Sequence, residues 1–448
     1  MSPNGETWLK QNDAVESVTV ALVDINGVLR GKRLPVSQIS KVFEGGFRMP
    51  LSACTLDIWG RDIADSELVF QSGDRDGVCK PTDRGLLPCI WKSKPSALLL
   101  LTMHNEDGTA HQADARHALA NVTQRYRKLG LRPVIATELE FYLYRAQNGR
   151  PVRPVLPGSE TSLLSDNVLS VSELESLSEF LDDVYAACSA QNVPADAAIS
   201  ENGAGQFEIN LLHCDDPLKA ADDAVLFKTI VRGVAAKHGY ASTFMAKPFG
   251  DSSGSGLHVH FSLLDSDGTN VFDNGGDEGT DVLRHAVAGL VDAMQQSTLI
   301  FAPHQNSYRR IRPGSHAPTG VSWGYENRTT AIRIPGGNPK ARRIEHRVAG
   351  ADANPYLVLA AILGAALNGI TAKGSPPKPL VGNAYDADIA QLPLDWPSAI
   401  AAFESGDRIA EIFDPLMIRL FAQAKRQELD RFLETVTEFE HETYLDVV

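Results

Sequence analysis

The chain has 448 residues, 43% of them apolar and 22% charged, the balance of a globular protein with room for about three domains at roughly 150 residues each. Acidic residues outnumber basic ones 56 to 42, giving a net charge of −14, which argues against nucleic acid or an anionic membrane as partner, since both require clustered Lys and Arg. The cysteines (Cys54, Cys79, Cys89, Cys188, Cys214) form no C-x-x-C pair, so neither a thiolate zinc site nor a disulfide framework is indicated.

The opening segment, MSPNGETWLKQNDAVESV, lacks the basic and apolar regions of a secretory signal, and a cytoplasmic location is expected. Residues 16–36 read as a hairpin, VTVALVDI and VLRGKRLPV about an Asn26-Gly27 turn. Short apolar runs broken by Gly, Pro and Asp follow over 51–110, ending in SALLLLTM, so 13–110 is expected to be a small β-rich domain. A helix is predicted from an Asp114 cap to a Gly130 stop, then an apolar strand, RPVIATELEFYLYR. Residues 146–168 read as loop, and 172–192 and 217–239 as amphipathic helices with a strand, GQFEINLL, between them. A strand at 256–264, a helix at 280–298 and a Pro/Gly/Arg-rich stretch at 303–350 come next. The apolar run Tyr356–Ile370, within an Ala-rich helix over 355–372, reads as too short and too interrupted by Gly and Asn to span a bilayer. Helices are expected at 397–405, 407–412 and 414–438. The irregular alternation does not fit a doubly wound sheet, and neither G-x-x-x-x-G-K-[ST] nor G-x-G-x-x-G occurs.

Four groups of residues carry chemistry. Glu138 and Glu140 share one face of a strand, which fits either a solvated edge or a divalent cation. Glu201 and Glu208 bracket NGAGQF, whose glycines permit a tight turn that brings two carboxylates together or leaves both on the surface. GSGLHVH sets His258 and His260 on one strand face behind a glycine loop. Eight arginines between 309 and 347 reverse the local sign of charge, suiting phosphate or carboxylate recognition or ion pairs with the acidic remainder. Together these groups are the equipment for phosphoryl transfer from a metal-bound nucleotide without a phosphate loop.

With MAKP (245–248), NSYRR (306–310), ENRTTAIRIP (326–335) and KARRIEHR followed by ANPY (340–356), these motifs resemble, in order, the bacterial type I glutamine synthetase family over about residues 16–440. The resemblance implies an α+β fold, with a small N-terminal β-grasp domain (13–110) before a catalytic domain (111–448) built on a mainly antiparallel sheet with helices. It implies two to three Mg²⁺ or Mn²⁺ ions per site, with Glu140, Glu201 and Glu208 holding one and Glu138, His258 and Glu345 another. ATP as co-substrate falls to His260, Ser262, Arg333, Lys340 and Arg343. Glutamate falls to Gly254, Arg310 and Arg347, and the transferred phosphoryl group to Arg328. The resemblance further implies a γ-glutamyl phosphate intermediate and a dodecamer of two six-membered rings.

The sequence departs from the family in its flap, where Gly314-Ser315-His316-Ala317-Pro318 carries His316 in place of the Glu that attracts ammonium. The family's second acid at the ammonium site has no matching motif, Asp57 being a candidate for its place. Ammonium is small and strongly hydrated and needs a compact anionic cage, so the expected nucleophile is an organic amine, as in γ-glutamyl–polyamine and –monoamine synthetases. His316 is a candidate base for that amine, or serves only to open and reshape the pocket. The alternatives are an authentic glutamine synthetase and a catalytically silent relative.

Overall fold

The computed structural model describes residues 3–157 and 167–448, so the first two residues of the opening segment and residues 158–166 of the expected loop lie outside it. Strands β1 (Ser17–Val23) and β2 (Leu29–Pro35) form the expected hairpin. In its turn the buried Asp24 carboxylate accepts from the Asn26 and Val28 N–H groups, and Gly27 adopts φ +76°. With β3 (Arg48–Pro50), β4 (Asp76–Pro88) and β5 (Ser96–His104) they make a five-stranded sheet in the order β2-β1-β5-β4-β3, parallel only between β1 and β5. The expected short runs over 51–110 are corrected by β4, a single 13-residue strand whose register shift between Pro81 and Leu86 absorbs the irregularity.

The larger sheet contains β6 (Arg132–Gln147), β7 (Arg150–Val152), β8 (Ala195–Ser200), β9 (Gln206–Cys214), β10 (Ala241–Thr243), β11 (Leu257–Leu264), β12 (Trp323–Tyr325), β13 (Ile332–Ile334) and β14 (Ile344–His346). Its order is β12-β13-β14-β11-β6-β9-β8, with β7 and β10 also pairing with β6. Only β12–β13 is parallel, in line with the mainly antiparallel sheet expected.

Asp114 caps the helix Ala115–Lys128 by accepting from the Arg116 and His117 N–H groups, and Gly130 follows at φ +68°. The helix expected over 172–192 is two, Val171–Ser176 and Ser178–Ala190, because Leu177 leaves helical geometry (φ −109°, ψ 16°) to bury its side chain. The last expected helix, 414–438, ends early, and a further helix follows it. Pro415–Glu434 ends at an extended Thr435, and Thr437 begins a new capping box for Glu438–Tyr444. Pro3–Gln11 is a further helix that the sequence reading did not include.

Helix Pro355–Ala372 is, contrary to expectation, long and apolar enough to cross a membrane by length and composition, but 78% of it is buried inside the fold. Its glycines serve packing. A Cβ on Gly369 would lie 2.2 Å from the His285 carbonyl oxygen, and one on Gly289 would lie 2.1 Å from that of Ala365, so this helix and Asp281–Phe301 meet backbone to backbone.

The small sheet is tied to the end of the chain. Lys425 and Glu428, both fully buried, pair at 2.9 Å. The Lys425 ammonium donates to Asn26 Oδ1, and Glu428 Oε1 accepts from the Ile58 N–H at 2.9 Å and from Asn26 Nδ2, 402 positions away, at 3.4 Å.

Candidate active site

Strand β6 organises the site through its alternation. Leu139, Phe141 and Leu143 are buried on one face, where the Phe141 ring lies 6.1 Å from those of Phe207 and Phe227. Glu138 and Glu140 take the other face. The register sets Glu140 opposite Glu208 on β9, and Glu138 opposite His258 on β11. His260 stands opposite Glu345 on β14, which stands opposite Arg333 on β13. A band of acids, imidazoles and arginines therefore crosses five adjacent strands.

Ligand atoms of Glu138, His258 and Glu345 lie within 4.8 Å of one another, as do those of Glu140, Glu208 and His258. The first group is one expected metal set. The second holds two members of the other set, while Glu201, outside both groups, lies at the tip of the β8–β9 hairpin, its N–H donating to the Gln206 carbonyl at 2.9 Å. Carboxylate oxygens and imidazole suit Mg²⁺ or Mn²⁺. Glu138 accepts from His258 Nδ1 (3.1 Å) and from His260 Nε2 (2.9 Å). His260 Nδ1 in turn accepts from Arg343 Nε at 3.1 Å, which fixes the proton of that ring on Nε2.

Burial and mutual repulsion shift the clustered carboxylates upward. Burial, with the charges of Glu138, Glu140 and Glu201 around it, pushes Glu208 up to about 10. Burial and Glu201 push Glu140 up to about 7, and burial raises Glu201 as well. Glu138 is the exception, since hydrogen bonds from His258 and His260 outweigh its burial and hold it well below the usual carboxylate range. Raised carboxylates stabilise the fold fully below their unfolded value near 4.5 and lose that contribution as pH rises through the folded values, here about 7 for Glu140 and about 10 for Glu208. The metal-free protein is therefore expected to lose thermal stability between pH 6 and 9. Added Mn²⁺ should raise the melting temperature more at pH 9 than at pH 6, because binding displaces those protons. Thermal scans with and without Mn²⁺ check this, and a pH-independent increment contradicts it.

The arginine run divides by role. Arg333 donates to Glu345 at 2.8 Å and to Glu326 at 3.2 Å, and Arg347 also pairs with Glu345. Arg310 is buried and donates to the Val348 carbonyl at 2.8 Å. It packs so tightly on Gly254 that a Cβ there would meet Arg310 Cγ at 2.7 Å. Arg342 donates to the Gly276 carbonyl, a structural use. Ser262 shares the strand face of His258 and His260, and Lys340 is exposed in the turn Pro339–Ala341.

His316 is exposed, with its backbone in the left-handed region at φ +61°, and both it and the exposed Arg328 lie within electrostatic reach of Glu201. The flap is pinned by the Ser315 hydroxyl, which bonds the Arg310 carbonyl, and by the Tyr385 hydroxyl, which donates to the Ala317 carbonyl at 2.9 Å. Asp57 joins none of this. Its carboxylate is buried and accepts from the Arg61 N–H and from Gln427 Nε2. Sequence reasoning missed Gln206, which donates to Glu140 at 3.0 Å. Its position two residues before Glu208, and so on the same strand face, was the available signal.

The geometry and the comparisons agree on the class. The model of the glutamine synthetase catalytic domain matches residues 112–444, and the chain belongs to that family. It is 38% identical over 441 residues to the γ-glutamylputrescine synthetase PuuA of Escherichia coli, covering 98% of this chain and 93% of PuuA. It is 33% identical over 476 residues to the glutamate–isopropylamine ligase of a Pseudomonas species, covering 99% of both. The solved structure of apo GmaS without ligand superposes with a TM-score of 0.85 at 27% identity, covering 98% of each chain.

Proposed function

We propose that this protein joins the γ-carboxylate of glutamate to an organic amine with ATP, through a γ-glutamyl phosphate, releasing ADP and phosphate. A carboxylate is a poor acyl donor because its leaving group would be oxide, and phosphorylation supplies a better one. On this reading Arg310 and Arg347 receive glutamate beside Gly254. His260, Ser262, Arg333, Lys340 and Arg343 bind the nucleotide, and Arg328 stabilises the phosphoryl group in transfer. Glu138, His258 and Glu345, and Glu140, Glu201 and Glu208, would each hold a divalent ion. Such ions supply positive charge against the repulsion between carboxylate and triphosphate.

The observation that carries the choice of amine is His316. An exposed imidazole stands on the flap where the family resemblance sets an ammonium-attracting acid, and the similarity to amine ligases supports the same choice. The break between the two sheets, after His104 and before Arg132, supports division of the chain into domains 13–110 and 111–448. Copies assemble as two stacked rings of six on this reading, and Asp57 serves the amine side of a neighbouring copy.

Coupled ADP release with glutamate and ammonium, putrescine, spermidine, ethanolamine or methylamine tests the reading. At least one organic amine is expected to outperform ammonium at matched concentration. Ammonium ahead of every amine would mark a glutamine synthetase, and no release with any would mark a silent relative. His316→Glu should shift preference toward ammonium about tenfold, the worth of one charge-assisted contact of about 1.5 kcal/mol.

A further inference from the structure

The amide of Gln206 is fixed from both ends. Its Oε1 accepts from the Gly203 N–H at 3.0 Å, so its Nε2 must face the opposite way, where it donates to Glu140 Oε2 and to the Gly254 carbonyl, each at 3.0 Å. Gly203 allows this only because it lacks a side chain, since a Cβ would lie 1.9 Å from the Tyr142 hydroxyl and 2.9 Å from Gln206 Oε1. The Tyr142 hydroxyl donates to the Ser253 carbonyl at 2.6 Å, tying the same glycine loop to β6. Glu140 Oε2 also accepts from the Gly256 N–H at 2.9 Å.

Two donors thus engage Oε2 and turn Oε1 toward the cluster. A Cβ built on Gly256 would lie 3.3 Å from Glu140 Oε1 and 3.1 Å from His258 Nε2, so those two atoms flank the same point. His258 Nε2 is the nitrogen not engaged by Glu138, because Nδ1 makes that bond.

We infer that Gln206 is a positioning residue that holds Glu140 with Oε1 as its metal-ligating oxygen and anchors the loop at Gly254 with the same amide. The inference rests on the metal reading of the site given above. A neutral amide suits the task, because it orients a carboxylate without adding to the five acids already assigned to the site.

The test is Mn²⁺ titration of the full-length protein, with free Mn²⁺ read by electron paramagnetic resonance. Gln206→Met, close in shape but without donors or acceptor, is expected to bind Mn²⁺ about tenfold or more weakly and, because it strips the Gly203 N–H and the Gly254 carbonyl of a partner, to melt somewhat below the native protein when metal-free. Gln206→Glu keeps the acceptor for Gly203 and is expected to lose affinity equally, so it carries the test if the Met variant fails to fold. Native affinity in a folded variant overturns the inference and leaves the metal reading standing. Absence of Mn²⁺ binding by the native protein overturns the metal reading itself.

Discussion

Gly256→Ala is expected to cut kcat/KM for glutamate about a hundredfold, equivalent to about 2.7 kcal/mol, while leaving the circular dichroism spectrum unchanged. The added Cβ would sit 2.8 Å from Arg310 Nη2, 3.1 Å from His258 Nε2 and 3.3 Å from Glu140 Oε1, and so touches three groups of the proposed site at once. The first contact is too close to persist. Arg310 is buried, and the Nη2 it would have to withdraw is the atom that donates to the Arg347 carbonyl at 3.4 Å, beside the Nη1 bond to the Val348 carbonyl. Gly256 is not in the left-handed backbone region, so the substitution carries no conformational strain and reads the contact alone. A variant within threefold of native activity would show that the site tolerates a methyl group at its centre, and that these three groups do not act together.

The second large effect lies in Glu345. Its side chain is 1% exposed and joins Arg333 and Arg347, themselves 11% and 8% exposed. Glu345→Gln leaves two enclosed guanidinium groups facing a neutral amide, the situation in which breaking a buried pair costs about 3–5 kcal/mol. A lowered melting temperature and loss of Mg²⁺-dependent ADP release are expected together. The two arginines and neighbouring histidines outweigh burial and hold Glu345 below its ordinary value. Its contribution is therefore present above the unfolded value near 4.5 and is lost as pH falls through the lower folded value. The stability gap between native and variant should accordingly be wide at neutral pH and narrow in acid. Melting curves across pH check the sign, and a gap that widens in acid contradicts the assignment.

The site was legible in the sequence where its residues repeat with the period of a strand. Glu138 and Glu140, and likewise His258 and His260, declare a shared face by spacing alone, and the register brings the pairs together. The three-residue strands at 323–325, 332–334 and 344–346 were not legible within the Pro/Gly/Arg-rich stretch. Segments so short have no periodicity of their own, and they are strands because β11 offers β14 an edge to pair with, and β14 offers one to β13. The break at Leu177 was hidden for a related reason, since helical spacing continues through it and only the surrounding core asks that side chain to turn inward. Gln206 escaped notice because a neutral amide at the start of a predicted strand shows no chemistry until Glu140 and the Gly254 carbonyl are brought beside it.

The buried knot of Asn26, Lys425 and Glu428 has a consequence for how the molecule comes into being. At about 5–20 residues per second of synthesis, the N-terminal hairpin waits on the order of 20–80 seconds before the helix that completes it leaves the ribosome. During that interval Asn26 and the backbone at Ile58 lack partners that the finished fold supplies from its other end. Helix Pro415–Glu434 is thus a closure that can be made only after nearly all of the chain exists. A nascent chain stopped short of it would present an unfinished surface to whatever oversees folding in the cell.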